Sequence, residues 1–207
     1  MLRRDRLEQM LSSGSFEEAA RLLAEIGWPD LSGKGSAAVS EALAKRQAEI
    51  YAEITRFVPE KELVGIFRLK YDYHNIKTLV KAAGANVSGD RLLSGSGRVA
   101  PEKLKAAVEE DSLSSLPADM ARAYEEARSV LARTGNPQLA DFELDAAYFA
   151  ELLHLAEATG SDFIKGYVRT MIDSANLRAA VRTVRMGKDR DFMLTALVPG
   201  GFADRDI

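Results

Sequence analysis

The chain of 207 residues contains no cysteine, which excludes disulfide frameworks, thiol nucleophiles and cysteine-ligated zinc. Histidine is almost as scarce. His74 and His154 are the only two, and no H-E-x-x-H pairing or second ligand at metal spacing accompanies either. Each reads as a solvated or packed side chain, with a local hydrogen bond open to His74 between Asp72 and Asn75. Long apolar runs are missing as well, and nothing approaches the ~18 residues needed to cross a bilayer. The opening MLRRDRLEQM has no apolar centre for a signal peptide, and its Asp5 and Glu8 argue against a transit peptide. A basic excess is absent too: the formal net charge of −3 argues against a general nucleic-acid binder.

Proline is restricted to six positions, Pro29, Pro59, Pro101, Pro117, Pro137 and Pro199, most of them between periodic stretches. The segments between are rich in Ala, Leu, Glu, Lys and Arg, which favour helix, and alternating strand patterns are not evident. The fold class is therefore all-α. Helices are expected at about 3–12 and 15–26, the second opened by a capping box of Ser15 and Glu18. A Gly/Ser-rich connector, residues 31–36, leads to a helix of about 37–57. After Pro59 another runs over about 60–83, with Gly84 as a left-handed stop. Pro101 sits at the first position of a helix of about 101–110, and Pro117 opens one of about 117–133. Gly135-Asn136-Pro137 is a break, followed by helices of about 141–158 and 161–186, the last ending near Gly187.

What the chain does have is one pattern written twice. Residues 68–81, RLKYDYHNIKTLVK, align with residues 169–182, RTMIDSANLRAAVR, at a shift of 101. Arg68/Arg169, Asp72/Asp173, Asn75/Asn176 and Val80/Val181 are identical, and Ile76/Leu177, Lys77/Arg178 and Lys81/Arg182 are conservative. Leu197 to Asp204 likewise parallels Leu93 to Ala100. Two copies of one module in tandem account for this: a first at 1–97, a second at 98–199, and at 200–207 the start of a third that is absent.

In a helix, residues three apart share a face, so each Asp-x-x-Asn sets a carboxylate beside an amide. Asparagine inside a helix competes for backbone groups and costs propensity. Its appearance twice in one frame indicates that Asp72, Asn75, Asp173 and Asn176 satisfy buried polar groups, such as the free amides of a neighbouring helix start. On the 161–186 helix, Ile164, Val168, Ile172, Ala175 and Ala179 form the apolar stripe, with Asn176 at its edge. Lys77, Lys81, Arg178, Arg182 and Arg185 fall in the later turns, where they complement the helix dipole; a partner-facing role is the alternative.

Other chemistry fails in detail. Gly33-Lys34-Gly35-Ser36 departs from the phosphate-loop spacing and follows no strand, so it reads as a connector. Gly95-Ser96-Gly97 lacks the third glycine of a dinucleotide fingerprint. Nothing fixes a mutual distance for Glu109, Glu110, Asp111, Asp204 and Asp206, which read as solvated. No catalytic, cofactor-binding or metal-binding residue is assigned.

At YDYHNIKTLVKA and IDSANLRAAVR the chain resembles the C-subunit family of V-type (A-type) ATP synthases, whose eukaryotic counterpart is the d-type component of the vacuolar ATPase. Leu7-Glu8-x-x-Leu11, Phe16-Glu17-Glu18-Ala19, Ile26-Gly27-Trp28 and Pro199-Gly200-Gly201-Phe202 support the resemblance, which covers nearly the whole chain. It implies a funnel of three helical modules about a pseudo-threefold axis, two of them present here. It further implies a non-catalytic coupling component that needs no cofactor and links the central stalk to the proteolipid rotor ring for proton or sodium transport. Such a component is cytoplasmic and reaches the membrane only through protein partners. A helical-repeat scaffold serving another assembly is the alternative.

Overall fold

The computed structural model describes residues 3–203. Among them are nine α-helices and no strand: α1 (Arg4–Leu11), α2 (Phe16–Ala24), α3 (Ser36–Phe57), α4 (Lys61–Ala85), α5 (Pro101–Glu109), α6 (Ala118–Thr134), α7 (Pro137–Ala158), α8 (Asp162–Arg185) and α9 (Arg190–Ala196). Short 3₁₀ turns lie at Asp90–Leu92 and Leu113–Ser115. No described helix is long and apolar enough to cross a membrane. Packing divides the chain into two compact units that part between Ile54 and Thr55.

In the first unit α1 packs on α2, and Arg6 joins Glu25 at 3.0 Å. The α2 start is a capping box displaced by one residue. Ser15 Oγ accepts the Glu18 N–H at 3.2 Å, while the Glu18 carboxylate accepts the N–H of Gly14, not Ser15, at 2.9 Å. Of the described residues here, only Ala20 and Leu31 belong to a buried apolar core.

The second unit has a larger core, in which Leu69, Ile76, Leu104, Met120, Leu144, Leu152, Val168 and Ile172 are fully enclosed. Helix α4 contacts α5, α6 and α7; α7 also contacts α6 and α8, and α9 packs on α8. Such central positions explain why α4 is apolar on more than one side instead of showing a single stripe. On α8 the stripe of Ile164, Val168 and Ile172 is buried, while Ala175 is half-buried against the core and Ala179 is half-buried.

The helix ends differ from expectation in four places. Gly84 does not stop α4: it lies inside the helix, where an added Cβ would overlap the Leu131 side chain of α6. The left-handed residue is Asn86, at φ 53°, since a short polar side chain tolerates that conformation almost as glycine does. Pro117 is the N-cap of α6 and not its first residue. Helix α7 begins at Pro137, four residues early, because Asn136 Oδ1 caps the Gln138 N–H at 3.0 Å and proline fits the first position. Helix α9, capped by Asp189 on the Phe192 N–H, was not expected at all.

Candidate functional site

The duplicated residues sit midway along α4 and α8, and both copies grip the chain that follows their own helix. The Asn75 amide donates to the Ser94 carbonyl at 2.9 Å and its oxygen accepts the Ser94 N–H at 2.7 Å. Asn176 does the same to Val198, at 2.8 and 2.9 Å. A carboxamide is the right side chain because it offers one donor and one acceptor in the geometry of a peptide group. One turn earlier, Asp72 Oδ1 accepts the Val99 N–H at 3.1 Å, just ahead of α5. Asp173 accepts the N–H groups of Phe202 and Ala203, both at 3.1 Å.

The returning strand of chain passes so close to each carboxylate that only glycine fits. A Cβ on Gly97 would overlap Asp72 Oδ1, and one on Gly201 would overlap Asp173 Oδ1. The helical part of the repeat runs at a shift of 101 and the gripped part at 104, from Ser94 to Val198 and Gly97 to Gly201. The additional residues fall in the connector, where α9 occupies the second copy and a 3₁₀ turn the first. Arg68 donates to the Ser96 carbonyl at 3.0 Å and to that of Gly97, while the Arg169 guanidinium lies 5.8 Å from the Phe202 ring centroid.

The copies differ in surroundings. Asp72 and Asn75 are 0% exposed, whereas Asp173 and Asn176 are half-buried. Arg98 Nε donates to Asp72 Oδ2 and its Nη2 to Glu151 Oε1 on α7, both at 2.7 Å. The Tyr73 hydroxyl completes the group by donating to Glu151 Oε2 at 2.9 Å. Burial pushes the Asp72 carboxyl above its ordinary range, against the opposing pull of Arg98 and the Val99 amide. Burial first, and then Glu151, raises the Tyr73 hydroxyl too. Arg98 stays fully charged, since its two carboxylates outweigh its own desolvation.

The basic residues also separate by copy. Lys77 and Lys81 reach across to α7, to Asp145 and Asp141, each at 2.6 Å. They form a two-rung bridge between helices and lie ahead of the last turn of α4, whereas Arg182 and Arg185 do fall in the last turn of α8. Arg178 and Arg182 make no ion pair among the described residues and border a cavity of about 290 Å³ with Phe142, Asp145 and Thr183. Arg98, Glu151, Tyr73, Asp141 and Asp145 were not singled out in the sequence. The one signal at hand was the pairing of Gly97 with Gly201 when the two post-helix segments are aligned.

Elsewhere the chemistry is sparse. His74 Nε2 is hydrogen-bonded to the Leu92 carbonyl at 2.8 Å, and His154 is exposed on α7. Lys34 forms a turn to the Leu31 carbonyl ahead of α3. Glu109 lies 3.7 Å from Lys105 and Asp111 3.6 Å from Arg128, Glu110 is exposed, and Asp204 and Asp206 lie outside the described residues. A cleft of about 640 Å³ beside the first clamp is lined by Arg68, Arg98, Lys105, Asp90 and Glu102. Its cations are already engaged: Arg68 with carbonyls, Arg98 with two carboxylates, and Lys105 with Asp90 at 2.8 Å. Among the described residues no group of three or more His, Asp or Glu side chains is placed to hold a metal ion.

The family model described as ATP synthase (C/AC39) subunit matches residues 1–206. The V-type sodium ATPase C-subunit of Enterococcus hirae is 23% identical over 207 residues, spanning 100% of this chain and 63% of the relative. The A-type ATP synthase C-subunit of Methanocaldococcus jannaschii is 27% identical over 195 residues, spanning 86% of this chain and 49% of the relative. The V-type ATP synthase C-subunit of Thermus thermophilus is 26% identical over 202 residues, spanning 92% and 61%. The chain thus spans about half to two-thirds of the length of the curated relatives it matches. With the family match running over almost every residue, the chain belongs to the ATP synthase (C/AC39) subunit family.

Proposed function

We propose that the chain is a non-catalytic coupling component of a V-type or A-type rotary ATPase, joining the central stalk to the membrane proteolipid ring in the transport of protons or sodium. The family match across residues 1–206 carries this reading. The geometry supports it physically. A part that transmits torque needs stiffness and two protein-facing surfaces, and densely packed helices deform little. Both clamps add to this by fastening the segment after a long helix to the middle of that helix. Contact with the membrane is through the ring, which makes the protein a peripheral component at the cytoplasmic face.

The chain reads as two tandem modules, 1–97 and 98–199, with 200–207 opening a third in a funnel about a pseudo-threefold axis. In support, α3 and α7 begin at 36 and 137, and α4 and α8 at 61 and 162, both shifts of 101. The left-handed Asn86 and Gly187 keep the same shift. The packing division at Ile54 falls elsewhere, as it must when α4 of the first module packs on α6 and α7 of the second. Immobilised chain is expected to capture purified stalk subunits and detergent-solubilised proteolipid ring, and to show no ATP turnover alone. Capture of neither partner overturns the reading.

A further inference from the structure

The two copies of the repeat differ in how the long helix meets the chain that returns to it. In the first, His74 bonds the Leu92 carbonyl at 2.8 Å, and a Cβ on Gly89 would overlap the Thr78 methyl and crowd Ala82. The space is filled. At a shift of 101 the same positions of α8 are Ala175, Ala179 and Thr183. Two side chains are cut back to a methyl group, and a cavity of about 290 Å³ lies between α7, α8 and the segment holding Ala196 and Val198. The third change runs against packing. Thr183 is 4% exposed where the first copy has alanine, and its hydroxyl makes no hydrogen bond among the described residues. A buried hydroxyl without a partner costs stability, so a core shaped for packing alone would not carry one. The Gln138 amide and the Tyr148 hydroxyl border the same cavity, and both are likewise unbonded among the described residues.

We propose that this cavity is a binding site for a neutral, single-ring aromatic molecule carrying one hydroxyl group. Phe142, Phe149 and Met186 give the ring an apolar wall. Thr183, Gln138 and Tyr148 offer both donors and acceptors to the hydroxyl. The size fits: an apolar cavity of about 150 Å³ takes up benzene, and the larger volume here leaves room for a short polar arm. Charges of both signs border the cavity, Arg178 and Arg182 from α8 and Asp145 from α7, so no single charge is selected. Val198, part of the wall, is the residue gripped by Asn176, and an occupant therefore braces the second clamp. The site calls on neither the stalk nor the ring, so this inference and the proposed function fail separately.

Fluorine NMR tests this with three probes titrated into the chain: para-fluorobenzyl alcohol, para-fluorotoluene and para-fluorobenzoate. The alcohol should bind saturably at millimolar concentration and raise the thermal unfolding midpoint. Thr183→Val keeps the shape and removes the hydroxyl. It should weaken the alcohol roughly fivefold, leave the toluene within about twofold, and raise the midpoint of the free chain. Ala179→Leu fills the cavity and should abolish binding of both, with circular dichroism reporting that the variant is folded; the Thr183→Val contrast decides the matter if it is not. Several results would overturn the proposal: no saturable binding of the alcohol, equal weakening of alcohol and toluene by Thr183→Val, or benzoate binding more tightly than the alcohol. So would a lower midpoint for Thr183→Val, which would mean that the hydroxyl serves the fold or an enclosed water.

Discussion

Replacing Asn75 or Asn176 by leucine removes the same two hydrogen bonds from two different surroundings. At Asn75 the side chain is fully enclosed, and its loss strands the N–H and C=O of Ser94 beside a buried helix face. An unsatisfied buried group costs about 1–3 kcal/mol, so two give roughly 2–5 kcal/mol with some relief because Ser94 is itself half-buried. Leucine returns about 0.5 kcal/mol through its better helix propensity. The net expectation for Asn75→Leu is a loss of roughly 2–4 kcal/mol. Around the half-buried Asn176, water can replace part of what is removed, and the loss should be about 1–2 kcal/mol. Urea unfolding followed by circular dichroism measures both, with an unchanged m-value confirming comparable end states. No loss at either would show that the clamps do not hold the loops, and a loss at Asn176 equal to or greater than that at Asn75 would refute burial as the source of the difference.

Gly97→Ala should destabilise by about 1–3 kcal/mol, since its Cβ overlaps Asp72 Oδ1 and the main chain of the helix bars a retreat. Gly166→Ala, within α8 and facing open space, should instead stabilise by about 0.5–1 kcal/mol; denaturant midpoints of the pair test the contrast. Arg98→Met leaves Asp72 and Glu151 facing each other without their cation and should cost about 3 kcal/mol, read by thermal unfolding. The raised Asp72 carboxyl fixes a sign for pH: its folded value lies above the ordinary 3.8, so the folded chain binds the proton more tightly. Its contribution is complete below 3.8 and is lost as pH rises through the folded value. Subtracting the Asp72→Asn stability profile from that of the parent between about pH 3.5 and 7 should therefore leave a falling component, and a rising one would refute burial as the dominant influence.

Local chemistry was legible wherever one residue type has few places to go. Pro101 and Pro137 mark helix starts, Ser15 caps α2, and Gly135, Gly160 and Gly187 take positive φ beside helix ends. Asn86 escaped because its left-handed conformation differs little in energy from the glycine two residues earlier. Helix α9 escaped because seven residues are too few to show a period. The paired Asp and Asn stood out by being unfavourable in a helix, but the backbone groups they hold range from buried at Val198 through half-buried at Ser94 and Val99 to exposed at Phe202 and Ala203. Which carboxylates meet Lys77 and Lys81 did not follow. A surface acid such as Asp145, 68 positions away, has the same sequence appearance whether it faces water or a neighbouring helix. Glu151 is the sharper case: it lies in an ordinary helical pattern, and its burial depends on Tyr73 and Arg98, which are 78 and 53 positions distant.

Comparison of the two clamps separates what the segment does alone from what its neighbours add. The amide grip on the returning backbone is the same in α4 and α8, although of the two only α4 packs closely on α6. It therefore cannot be a consequence of that packing and must come from the helix, its Asp-x-x-Asn and the close-fitting glycine. The outward connection is the part that varies. At the position of Arg98 the second copy has Phe202, and a backbone N–H takes the place of the guanidinium on the aspartate. Only the first clamp thus extends through Arg98 to Glu151, where a helix is present to receive it.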